Sequence, residues 1–265
     1  MTEVRPGVTL AYDDDYFGAP WIDPVPVMLL HGVAESAVAW RQWVPHLGMD
    51  YRVVRPDMAG HGRSPVPDRY TWSAQEVAAD YVRLADALGI TRFHLVGAKY
   101  GGSISMQLAA DFPDRVLSLA VFGAPARGHG LKANFAAVPQ MIREIGVAGW
   151  AERTQKSRLG PDAPAAQLDW WTHGLMGRTD ERAALGATAA AANMDVESRL
   201  GDIRAETLVV TTEDSPLQPI ATAEGYQKAI PHSRLKVLPG DCYHVAAVRP
   251  AECAAVWKAF VAGLA

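Results

Sequence analysis

Short runs rich in Val, Leu and Ile alternate along the chain with longer segments whose apolar residues recur at helical spacing. The runs 8–12, 25–30, 52–55, 93–96, 117–122, 207–211 and 234–238 predict strands. Several are almost continuously apolar, the pattern of strands covered on both faces in a parallel sheet. Between them the spacing predicts helices over 73–88, 102–111, 220–230 and 250–264. Ser73 followed by Glu76 forms a capping-box signature at the start of the first. Strand–helix alternation of this kind predicts an α/β fold with a mostly parallel, doubly wound sheet.

Residues 125–204 break the rhythm. They hold Ala-rich helical stretches and "LDWWTHGLMG" but almost no strand pattern, opening in "GAPARGHG" and closing just before "TLVV". The expected organisation is a core made of 1–124 and 205–265, with 125–204 inserted between two core strands as a helical cap.

Composition narrows the partners. Hydrophobic residues make up 49% of the 265 and charged residues 20%, enough apolar surface for a full core. A formal charge of −4, a pI near 6.1 and no basic block argue against a nucleic acid or an anionic membrane as partner. The first residues lack a signal-peptide pattern and no apolar run is long enough to span a bilayer, so a cytoplasmic location is expected. Two cysteines, Cys242 and Cys253, make no disulfide framework. No cofactor or metal is expected, and a homodimer stays open.

The candidate chemistry lies where loops leave the carboxyl ends of the predicted strands, the usual ligand edge of an open α/β sheet. "VMLLHGVAES" runs from a strand into His31-Gly32. "PDMAGHGRS" follows the next strand, with His61 suited to a structural hydrogen bond. "HLVGAKYGGS" is a strand entering a Gly-x-Lys-x-Gly turn and then a helix, its small residues permitting a sharp turn around Lys99. "TLVVTTEDSPLQP" places Asp214 beyond a strand end, and "LKVLPGDCYHVAA" does the same for His244.

Taken together, these motifs resemble the α/β-hydrolase superfamily over nearly the whole chain, and within it the cap-bearing esterase, enol-lactonase and C–C-hydrolase branch. The resemblance implies that His244 is the general base and acid, that Asp214 orients it, and that the backbone N–H groups of Val33 and Tyr100 form an oxyanion hole. Two features depart from the family pattern. The histidine loop, usually Gly-x-Gly-His, is "GDCYH", and the elbow carries Lys99 where the family carries its nucleophile.

Lys99 sits at a helix N-terminus and under the expected cap, and both positions disfavour its charge. An amine there can form an imine with a ketone or aldehyde, or move a proton. As an ammonium it can hold a carboxylate or enolate. Attack on an ester would end in an amide, so an acyl-enzyme cycle is disfavoured and hydrolysis requires His244 to activate water. The expected function is a cofactor-independent enzyme acting on a small apolar carbonyl compound (ester, lactone or C–C bond) through Lys99, His244 and Asp214. The alternatives are a lysine-imine lyase, an inactive ligand-binding homologue and a nucleophile-replaced variant. Trp171, His173, Met141 and Tyr243 are the expected pocket residues. Arg127, His129 and Lys132 could hold a carboxylate, although a solvated loop suits them better.

Overall fold

The computed structural model describes residues 1–131 and 134–264. Seven strands form the central sheet: β3 (Tyr12–Asp15), β4 (Pro26–Leu30), β5 (Arg52–Pro56), β6 (Phe93–Ala98), β7 (Val116–Phe122), β8 (Glu206–Thr212) and β9 (Ser233–Leu238). Their spatial order is β3-β5-β4-β6-β7-β8-β9, parallel throughout except for the antiparallel β3–β5 pair. A separate antiparallel pair, β1 (Thr2–Arg5) and β2 (Val8–Leu10), lies outside it.

Strand periodicity builds two cores, one on each face. From β4, Met28 and Leu30 enter a core shared with the helices Ala74–Ala87 and Tyr100–Asp111. The alternate residues Val27 and Leu29 enter another around Trp40, Trp43 and Trp257. Every residue of β6 is buried, which explains its unbroken apolar run. The predicted run 8–12 divides instead into β2 and the start of β3. The rest of β3, Asp13-Asp14-Asp15, has no strand-like composition and is held by arginines of its neighbour. Arg52 pairs with Asp14 at 2.7 Å, and Arg55 with Asp15 at 2.6 Å.

The helix from Ala74 begins as expected, with Ser73 Oγ accepting the Glu76 N–H at 3.2 Å. Only half of the capping box forms, because the Glu76 carboxylate reaches back to the Thr71 N–H at 2.7 Å. Between β7 and β8 the described elements are helical, chiefly Val138–Leu159, which bends at Gly146 (φ 73°), and Glu181–Asn193. Val138, Ile142, Trp150 and Met176 from this segment pack together against Ala34 of the loop after β4. Residue Lys132 lies outside the described residues. No helix among them is long and apolar enough to cross a membrane.

Candidate active site

The turn at Lys99 is the sharp strand-to-helix elbow that its glycines allow. Lys99 has φ 55° and ψ −124°, a backbone region that a side-chain-bearing residue occupies only under constraint. The constraint is close packing. A Cβ on Gly97 would collide with Ser105 Oγ and the Gly101 carbonyl, one on Gly101 with the Leu30 and His31 carbonyls, and one on Gly102 with Ala124. The Lys99 N–H donates to the Phe122 carbonyl at 3.0 Å, tying the elbow to β7.

The Lys99 side chain runs over Gly32, where any Cβ would sit 2.6 Å from its Cε. Its ammonium then meets the Glu35 carboxylate, Nζ donating to Oε1. Glu35 is placed by a tight turn. The Gly32 N–H donates to Glu35 Oε2 at 2.9 Å and the Glu35 N–H to the Gly32 carbonyl at 3.3 Å, with Ala34 at φ 58° between them. Beneath the turn, His31 Nε2 accepts the Met58 N–H at 3.0 Å while its Nδ1 lies 2.7 Å from the Gly32 carbonyl. His61 stays structural, its Nδ1 lying 3.1 Å from the Ala59 carbonyl.

His244 completes the group. Its Nε2 lies 3.3 Å from Glu35 Oε1, off the angle of a good hydrogen bond, and neither ring nitrogen has a hydrogen-bond partner among the described residues. The backbone of its loop is firmly held. The His244 N–H donates to the Arg158 carbonyl at 3.0 Å, Thr212 Oγ1 to the Cys242 carbonyl at 2.7 Å, and Trp43 Nε1 to the Ala246 carbonyl at 2.9 Å. The longer "GDCYH" loop therefore still delivers its histidine.

Asp214 is the correction. Its side chain is exposed at the turn after β8, and no bond joins it to His244; Ser215, one residue on, is the buried position. The carboxylate beside His244 belongs to Glu35, on the opposite side of β6 in the sheet order. Glu35 escapes sequence reading because the loop after His31-Gly32 shows a pattern only in its backbone donors. The available signal was Lys99 itself, since a lysine buried at an elbow requires a counter-charge.

Charge in this buried cluster follows from its pairing. Burial pulls the Lys99 ammonium down from 10.5 to about 8; Glu35 opposes the shift and Arg158 adds to it. Burial would raise the Glu35 carboxyl, but Lys99 and His244 together hold it well below its usual 4.5. Burial also lowers His244 below 6.5, against the pull of Glu35. At pH 7 the site thus contains an ammonium, a carboxylate and a neutral imidazole.

A cavity of about 50 Å³ opens over Lys99, lined by Val33 from the loop after β4, Tyr100 at the start of the elbow helix, Trp150 and Arg158 from the helical segment, and Tyr243. Of the other expected pocket residues, Trp171 faces the cluster edge-on, 5.1 Å from the His244 ring and with Lys99 Nζ 6.0 Å from its own. Met141 packs against the apolar cluster of the helical segment, and His173 is exposed beside Asp169 at 4.0 Å; neither lines the cavity. Arg127 pairs with Glu197 at 3.1 Å and His129 is exposed. Among the described residues no group of three or more His, Cys, Asp or Glu side chains is placed to hold a metal ion.

A doubly wound sheet with a constrained elbow after β6 and a histidine loop after β9 defines an α/β-hydrolase-type scaffold. Comparison with known proteins agrees: residues 25–144 match the family model of the alpha/beta hydrolase fold. The chain is 32% identical over 230 residues to a putative carbamate hydrolase RutD of Variovorax paradoxus, covering 82% of this chain and 84% of that protein. It is 28% identical over 235 residues to the 2-hydroxy-6-oxo-2,4-heptadienoate hydrolase of Pseudomonas putida, covering 83% and 82%. In structure it matches the enol-lactonase of Burkholderia xenovorans with a TM-score of 0.87 over 97% of both chains at 21% identity, a likeness of fold. The chain belongs to the α/β-hydrolase family, and its relatives are enzymes that act on small substrates.

Proposed function

We propose that this protein is a cofactor-independent hydrolase of a small carbonyl compound (an ester, lactone or activated C–C bond) in which water, not the elbow side chain, is the nucleophile. The observation that carries this reading is the ion pair between Lys99 and Glu35. An amine held as an ammonium against a buried carboxylate has no lone pair with which to attack. With its pKa near 8, the ammonium outnumbers the amine by about ten to one at pH 7.

Each group then has a role suited to its charge. Neutral His244 accepts a proton from water as the water adds to the carbonyl carbon, and returns it to the leaving group. Glu35 stabilises the imidazolium formed in between, the part expected of Asp214. The Lys99 ammonium, with the Val33 and Tyr100 N–H groups, stabilises the carbonyl oxygen as it gains negative charge. The helical segment 125–204 acts as a cap that excludes bulk water and strengthens these charges.

The imine reading is favoured by one observation, the depressed Lys99 pKa. Borohydride treatment during turnover of small chromogenic esters, lactones and β-diketones separates the two. Water attack predicts full recovery of activity and an unmodified Lys99 by peptide mass spectrometry. A reduced substrate adduct on Lys99 would replace this reading with the lyase.

A further inference from the structure

Arg158 is a charge that the reaction above does not use. It is 3% exposed and lines the cavity over Lys99. Its guanidinium carbon lies 4.7 Å from the centre of the Trp150 ring, and its Nη1 donates to Thr154 Oγ1. Among the described residues it has no carboxylate partner within ion-pairing distance, unlike the arginines of β5 and the other buried cation of the site, Lys99. A buried guanidinium without a counter-ion is costly unless a ligand supplies one.

The position is also rigid. Arg158 lies in the last turn of the helix Val138–Leu159, where the helix dipole favours a cation. Its own carbonyl accepts the His244 N–H at 3.0 Å, and the preceding Ser157 carbonyl accepts that of Tyr243 at 3.5 Å. The residue that orients the histidine loop through its backbone thus offers the cavity a planar, five-donor fork through its side chain. That geometry matches a carboxylate, which can accept two of its N–H groups at once.

We propose that Arg158 is a specificity-determining residue that binds a carboxylate of the substrate, so that the substrate class is a small carbonyl acid. The carboxylate docks on Arg158 while the carbonyl lies over Lys99 and the Val33 and Tyr100 N–H groups. This deepens the hydrolase reading by naming its substrate class, but carboxylate binding requires no turnover and can be tested apart from it. The Arg127 region suggested by sequence is not needed, since Arg127 already pairs with Glu197.

The test is equilibrium binding of propionate and of its neutral counterpart propionamide, followed by tryptophan fluorescence, since Trp150 lines the cavity. The wild type should prefer the acid. Arg158→Gln should bind propionate about 10- to 100-fold more weakly with propionamide affinity unchanged, and Arg158→Lys should fall between. The Glu35→Gln/Lys99→Met double variant, which lacks the proposed chemistry, should keep the preference for the acid. Equal affinity for acid and amide in the wild type, or no saturable binding of the acid, overturns the proposal, as does undiminished propionate binding by folded Arg158→Gln. Loss of the preference in the double variant but not in Arg158→Gln would assign the carboxylate to Lys99 instead. If Arg158→Gln does not fold, the double variant decides: it keeps the preference for the acid if Arg158 binds the carboxylate and loses it if Lys99 does.

Discussion

Breaking the Lys99–Glu35 pair from one side should cost far more than removing it whole. Lys99→Met leaves a carboxylate that is wholly buried, with no cation facing it and only the Gly32 N–H and an off-angle contact to His244 remaining. Glu35→Gln leaves an ammonium with 9% side-chain exposure and the positive Arg158 charge in the same cavity. Losing one partner of a buried pair costs roughly 3–5 kcal/mol, because the remaining charge is neither hydrated nor compensated. In Glu35→Gln/Lys99→Met neither charge remains and the side-chain volumes are nearly kept, so the double variant should lie within about 1 kcal/mol of the wild type. The coupling read from the cycle is then about 5 kcal/mol or more in magnitude, well above the non-additivity of unlinked sites. Urea unfolding of the four proteins at pH 7 measures it, and each single variant should also melt roughly 6–10 °C lower. Additive single effects, each below about 1 kcal/mol, would mean that the two groups do not form a buried charged pair in solution.

Other outcomes follow from the same geometry. Asp214→Asn should keep kcat/KM within about threefold of the wild type, whereas Glu35→Gln and His244→Ala should each lower it about 100-fold or more; a large loss in Asp214→Asn alone would restore Asp214 to the site. Because Glu35 opposes the burial-driven fall of the Lys99 pKa, Glu35→Gln should lower that pKa below about 8 and speed reductive methylation of Lys99 at pH 7, which peptide mass spectrometry would follow. Gly101→Ala would press a methyl group against the Leu30 and His31 carbonyls and should destabilise by about 1–3 kcal/mol in urea unfolding. The Glu35 carboxyl is depressed in the folded state, so it contributes stability above pH 4.5 that is lost as pH falls toward its folded value. Denaturation midpoints from pH 6 down to 3 should therefore fall more steeply for the wild type than for Glu35→Gln.

The parts of this molecule legible in sequence are those fixed by period and packing. Apolar runs such as 93–96 and 207–211 marked central strands because both of their faces are covered. The elbow was legible because only glycine fits at 97, 101 and 102 around Lys99, and the His244 loop because it follows a strand end. β3 was hidden by Asp13-Asp14-Asp15, which form a strand only because Arg52 and Arg55 lie opposite. Asp214 was misplaced because a turn of a single residue decides whether a side chain faces the site or the solvent, and sequence does not show that rotation. Glu35 and Arg158 carry no motif. Each gains its meaning from a charge brought near it by folding, Glu35 from Lys99 and Arg158 from the cavity it shares with Lys99.

The central claim is that Lys99 works as a Glu35-bound ammonium while His244 activates water, and the pH dependence of kcat/KM on the best of the small carbonyl substrates tests it most directly. His244 must be unprotonated and Lys99 protonated, so the account predicts a rise whose midpoint lies below pH 6.5 and a fall through about pH 8. A rate that instead climbs through pH 8 would show that the free amine is the reactive form and would contradict the account.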